Sequence, residues 1–130
     1  MINATVLCYN NTVIGFIVKN HGETSVCAAI SMLTINTVNS IEKLTSLTEN
    51  DFTCKWNNSG GFMAFKLNSH RQRDSGAGIL LDALALGFIS VSKEYPLEIT
   101  LKKQNQRAKP KGLCIKAICA RSAHSQRKRR

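Results

Sequence analysis

Beyond Glu98 the sequence has no acidic residue. No hydrophobic leader is expected, because the opening MINATVLCYNNTVIGFIV is broken by polar residues. The longest apolar run, AGILLDALALGFISV, contains Asp82 and reads as too short to span a bilayer, so no membrane partner is expected. There is no heptad array and no strong internal repeat, which excludes a coiled coil or solenoid. The five cysteines are odd in number and widely spaced, which argues against a disulfide framework and for free thiols in a reducing, cytoplasmic setting. No second cysteine lies near Cys27, so a dithiol redox motif is disfavoured. Cys114, Cys119 and His124 lack a fourth ligand, so neither a metal nor another cofactor is expected.

What is present fits one globular domain. The chain has 130 residues, 43% of them apolar. The net charge of +10 is unevenly placed. The nine Lys and Arg of residues 104–130 meet no acid, whereas residues 1–103 are nearly neutral. We therefore divide the chain into a domain, residues 1–103, and a basic tail, 104–130, whose end SAHSQRKRR reads as disordered. Such a tail can bind nucleic-acid phosphate without sequence preference, or can simply be solvated.

The patterning places seven elements. Ile2, Ala4, Val6 and Cys8 alternate as a strand, the Asn pair at 10–11 suits a two-residue hairpin turn, and 13–18 returns. Thr24 or Ser25 can cap a helix that runs to about Thr45, with Val26, Ile30, Leu33, Thr37 or Val38, Ile41 and Leu44 as its buried stripe. Phe52, Cys54 and Trp56 start a second hairpin, NNSGG makes its turn, and GFMAFKL returns. Cys54, like Cys8, reads as a core thiol, and Trp56 as a core aromatic. Asp74 or Ser75 can cap a second helix with Ile79, Leu80, Ala83, Leu84, Gly87, Phe88 and Val91 buried. Pro96 stops it, and Leu97, Ile99 and Leu101 form a last strand. The order ββαββαβ predicts an α+β domain, a small mixed sheet with two helices packed on it.

The stretch HGETSVCAAIS carries the chemistry. Cys27 falls in the first turn of the predicted helix, where unpaired N–H groups favour a thiolate. Ser31 lies one turn later on the same face, and Thr34 follows. His21, on the loop before the helix, is within reach of the sulfur, and a cysteine with an adjacent histidine is a minimal nucleophile–base pair. An ordinary buried thiol beside an ordinary loop fits the same residues.

VCAAIS after a β-hairpin, together with ILLDALALGFISVSKEYPLEITL, resembles the ribosomal-processing cysteine proteases, the Prp family, over residues 2–103. The resemblance implies a cytoplasmic homodimeric endopeptidase that removes the N-terminal extension of large-subunit ribosomal protein twenty-seven, a ribosomal protein precursor being its partner. Cys27 and Ser31 match the nucleophile and the serine of the family stretch D-I-V-C-A-A-x-S. The family base is the histidine of a G-H-A motif on the preceding loop. Here Thr24–Ser25 replaces Asp-Ile, and the segment from His21 to Cys27 is shorter than in the family. Two alignments fit. In one, His21 is the base. In the other, the base has been deleted and His21 matches a less essential position. A catalytically inactive relative that binds a ribosomal protein or RNA is the alternative. If the chemistry operates, Cys27 attacks the scissile carbonyl, His21 carries a proton to the leaving amine, Ser31 orients the thiol or a water, and the amides of Cys27 and Ala28 are the expected oxyanion donors.

Overall fold

Asn10 and Asn11 both adopt left-handed backbone, φ 50° and 63°. Two such residues make the twisted turn that joins β1 (Ile2–Tyr9) to β2 (Thr12–Lys19) in antiparallel register, with Tyr9 opposite Thr12. In this computed structural model, which describes residues 1–57 and 60–106, the chain continues through α1 (Thr24–Leu44), β3 (Phe52–Trp56), β4 (Phe62–Leu67), a short 3₁₀ turn (Ser69–Arg71), α2 (Ser75–Glu94) and β5 (Ile99–Asn105). The expected ββαββαβ order is present. The strands form one five-stranded mixed sheet in the order β3-β4-β2-β1-β5. All neighbours are antiparallel except β1 and β5, which run parallel with Ile2 opposite Ile99.

The alternation predicted for β1 holds, since Ile2, Ala4, Val6 and Cys8 are all buried. They face a core shared with Val26, Ile30, Val38 and Ile41 of α1 and with Ala77, Leu81, Leu84, Ala85 and Phe88 of α2. Phe16 stacks on Phe65 with ring centroids 5.8 Å apart and meets the edge of Phe88 at 6.3 Å. Gly15 is where β2 and β4 come closest: a Cβ there would lie 2.1 Å from the Phe65 carbonyl oxygen.

Several expectations need correction. α2 is rotated from its predicted face: Ile79 is 42% exposed and Ala83 is exposed, while Leu81 and Ala85 are buried. The helix is apolar nearly all round, so periodicity does not set its phase. Leu44 and Leu97, at 75% and 82% exposed, are outside the core, because α1 and β5 respectively end and begin beside them. Trp56 is 65% exposed rather than a core aromatic, because β3 is an edge strand and Trp56 is its last residue. Cys54 is half-buried against the core, and its thiol pKa is pushed up by burial and by the Glu42 carboxylate. With their polar flanks, α1 and α2 are each long and apolar enough to cross a bilayer by length and composition, contrary to the reading of the apolar run alone. Here each lays a buried stripe on the sheet. Strand β5 continues to Asn105, two residues past the expected domain boundary. Cys114, Cys119, His124 and nearly all of the basic tail lie outside the described residues.

Candidate active site

The turn from β2 into α1 occupies only residues 20–23, and it is tied down on every side. Asn20 donates its amide to the Gly61 carbonyl at 2.7 Å. The His21 carbonyl accepts from the N-terminal ammonium at 3.1 Å. Glu23 donates its amide to the Glu98 carboxylate at 3.1 Å. The α1 cap is Glu23, not Thr24 or Ser25. Its carboxylate accepts from both the amide and the hydroxyl of Ser25, at 3.1 and 3.2 Å. A carboxylate at this end also complements the helix dipole.

Cys27 follows immediately. The Gly22 amide donates to Cys27 Sγ at 3.1 Å, and the thiol can return a contact to the Gly22 carbonyl at 3.5 Å. The two contacts hold the sulfur against the Gly22 peptide at the start of the helix. The Cys27 amide itself is not free. It donates to the Glu23 carbonyl at 2.9 Å as the first rung of the helix ladder. That removes it as one of the two expected oxyanion donors, and the amide that meets the sulfur is that of Gly22.

The imidazole of His21 does not rest on Cys27; among the described residues no hydrogen bond joins the two. It lies over the turn of the β3–β4 hairpin. A Cβ on Gly61 would stand 2.7 Å from His21 Nε2, and one on Gly60 would stand 3.2 Å from Cε1. Both glycines have φ of +81°, so the turn favours glycine on backbone grounds as well. Read from sequence, NNSGG is only a turn. Its second role as a seat for the histidine ring has no local signal, because it depends on pairing between strands 40 residues beyond His21.

His21, Cys27 and Ser31 nonetheless line one cleft of about 710 Å³ between α1 and the β3–β4 hairpin. Thr34 lines it too, with its hydroxyl turned back to the Ile30 and Ser31 carbonyls at 3.0 and 3.1 Å. The three predicted site residues are thus brought to a common surface, with Cys27 half-buried and the other two exposed. Phe62, Met63, Ile35 and Val38 give the cleft an apolar floor and wall, and Trp56 stands at its rim. No group of three or more His, Cys, Asp or Glu that could hold a metal occurs among the described residues.

A second polar cluster lies apart from this cleft. The Asp51 carboxylate accepts from the Thr48 amide at 2.7 Å, from Arg71 Nε at 3.0 Å, and contacts His70 Nε2 at 3.2 Å. Arg71, although exposed, is therefore engaged. The Thr48 amide, with help from Arg71 and His70, holds the Asp51 pKa down to about 2 against the opposing effect of burial. The cluster clasps the α1–β3 loop to the 3₁₀ turn.

Among solved structures, the fold is similar to SMU.848 from Streptococcus mutans, at 27% identity and a TM-score of 0.72 over 82% of this chain and 96% of that one. It is also similar to the essential ribosomal processing protease Prp from S. aureus. In complex with a covalently linked product peptide that protein gives 22% identity and a TM-score of 0.72, and with a substrate peptide 22% and 0.69; each covers 80% of this chain and all of the other. No match is found among curated proteins. The family model described as cysteine protease Prp matches residues 1–100, which contain the whole cleft. With that match over the first four strands, both helices and the Cys27 loop, the chain belongs to the Prp family of cysteine proteases.

Proposed function

We propose that this protein is a cysteine endopeptidase that processes a ribosomal protein precursor, removing the N-terminal extension of large-subunit ribosomal protein twenty-seven. The observation that carries the reading is the shared cleft of His21, Cys27 and Ser31, with the Gly22 amide directed at Cys27 Sγ. Cys27 thiolate attacks the scissile carbonyl and forms a C–S bond. The Gly22 amide, released from sulfur as its charge moves to oxygen, donates to the oxyanion. His21 supplies the proton that the departing amine needs, and the acyl-enzyme is then hydrolysed by water that gives its proton back to His21. Ser31, one helical turn from Cys27, orients the water or thiol. The ring must swing from its seat on Gly60–Gly61 toward the sulfur, a tightening that substrate binding can supply.

The direct test is incubation with a precursor bearing its N-terminal extension, read by intact mass. Wild type yields one truncated product and Cys27→Ala yields none. Unchanged cleavage by Cys27→Ala overturns the assignment. The lack of a His21–Cys27 hydrogen bond favours a second reading, a non-cleaving relative that binds the ribosomal protein or RNA. Iodoacetamide labelling of Cys27 against pH, with and without His21→Ala, separates the two: the enzyme reacts well below pH 8 and slows without His21, the binding module does neither. The free thiols of Cys27 and Cys54 support a cytoplasmic setting. The apolar groove between α1 and α2, where Met32 is 69% exposed, supports homodimerisation, which sedimentation of the full chain checks.

A further inference from the structure

We propose that residues 112–120 of the tail, GLCIKAICA, dock on the face of the sheet opposite the helices and cover Leu7 and Ile14. Both helices pack against one face, that of Ile2, Ala4, Val6 and Cys8. Strand alternation turns Asn3, Thr5 and Leu7 to the other face. Asn3 and Thr5 are partly exposed, as befits a face without helices, but Leu7 is only 4% exposed. The neighbouring strand repeats the anomaly. Cys8 pairs with Val13 and Leu7 with Gly15, so Ile14 is the extra residue of a bulge, on the Leu7 side. Ile14 is 0% exposed, yet neither it nor Leu7 belongs to the core cluster that the helices share. Neighbours in a sheet flank a side chain; they do not roof it. Two sealed aliphatic side chains on this face call for a further layer, and among the described residues no helix or strand supplies it.

The chain itself offers that layer at the right place. The Gln106 amide donates to the Cys8 carbonyl at 2.9 Å, and β5 sets Gln104 opposite Leu7, so the tail leaves the sheet beside the two side chains. Ile14, on β2, is two strands from β5, about 10 Å away. Residues 107–112, RAKPKG, reach about 20 Å when extended and carry the proline and glycine of a turn. The stretch that follows has Lys116 as its only charge. At helical spacing Leu113, Cys114, Ala117 and Ile118 share a face that excludes Lys116. The arginine-rich end of the tail does not suit this surface. Lys55, Lys66 and Lys102 stand exposed on the same face and repel it. The apolar stretch is therefore the part of the tail that the face selects.

Cys114 and Cys119 lie within the segment, so their alkylation reports its docking in the full-length chain. In peptide-resolved labelling with N-ethylmaleimide, at least one of them is expected to react about tenfold more slowly in native protein than in urea, at every protein concentration. Leu113→Asp combined with Ile118→Asp is expected to bring both to the urea rate. The face is then identified with Thr5→Cys, which adds a thiol beside Leu7 on the same side of β1. A short bismaleimide should join that thiol to Cys114 or Cys119 within one chain. Ser90→Cys, exposed on α2 across the sheet, should give no such link. Native rates equal to the urea rates overturn the docking. Protection without the link from position 5 puts the segment elsewhere and overturns this face as its seat. A link between two chains, or protection lost on dilution, assigns the face to a second copy of the protein and overturns the intrachain cover.

Discussion

Replacing Gly61 by alanine isolates the contribution of His21. The new Cβ would lie 2.7 Å from Nε2 and 3.1 Å from Cδ2 of the ring, whereas ordinary contact begins near 3.4 Å. The imidazole must retreat by about 0.7 Å, and it is free to do so because His21 is exposed. The substitution also places a side chain on a backbone with φ of +81°, costing about 1–2 kcal/mol of stability. Gly60→Ala provides the matched control. Its φ is the same, but its Cβ would approach only Cε1, at 3.2 Å. The backbone cost is therefore common to both variants and the ring displacement is not. Because the ring must leave this seat to reach the sulfur, crowding the seat favours the swung ring, and a destabilisation of about 1.4 kcal/mol raises kcat/KM by about tenfold. We expect Gly61→Ala to gain about threefold to tenfold in cleavage of a precursor peptide, and Gly60→Ala to stay within about threefold of wild type, since the ring is crowded less there. Thermal melts confirm that the two variants are equally folded. Equal changes in both would assign the effect to backbone strain, and a loss confined to Gly61→Ala would show that the seated ring is the working one and refute the swing.

Acidification should weaken the clasp at Asp51. Its pKa is depressed to about 2 in the fold, so its stabilising effect is complete above the ordinary carboxylate range and is lost as pH falls from about 4 toward 2. Melting temperatures from pH 7 to pH 2 should therefore fall more steeply for wild type than for Asp51→Asn; parallel curves would show that the clasp carries no linkage. In a mass-resolved alkylation series Cys54 should react more slowly than a free thiol at every pH below 9, because burial and Glu42 disfavour its thiolate. Glu98→Ala removes the acceptor of the Glu23 amide and should lower kcat/KM by a few-fold, with Glu98→Gln restoring most of it; equal behaviour of the two would argue against the tether. Phe88→Ala should lower unfolding free energy by about 3–5 kcal/mol in denaturant titration, since it deletes the ring that meets Phe16 at the centre of the core.

The parts of the fold that were legible in sequence are those where one local force dominates. The Asn10–Asn11 turn was readable because asparagine tolerates positive φ and the flanking residues alternate. The start of α2 was readable because Asp74 can cap it, and its carboxylate accepts from the Ala77 amide at 2.9 Å. The phase of α2 was not, because apolar residues surround the helix and only the sheet decides which of them are covered. Trp56 was misplaced because strand alternation says which face a residue takes, not whether anything covers that face at a sheet edge. At the site, spacing and residue type bring out Cys27, Ser31 and His21 as candidates, and all three line the cleft. Glu23 as the cap and Gly60–Gly61 as the seat of the histidine were not. A glutamate is a poor statistical choice for a cap, and the seat depends on a tertiary contact.

The tether from Glu98 to the Glu23 amide spans 75 residues, and the parallel pairing of β5 on β1 spans still more. Such contacts are slow to form, because loop closure must precede any reward from them. As the polypeptide leaves the ribosome, α1 and its cysteine emerge early, whereas Glu98 and β5 arrive only after both helices. The thiol is thus synthesised long before the turn that carries His21 and Gly22 is anchored. An unfinished chain holds its nucleophile in an unassembled setting, and the last strand to dock is the one that completes the site.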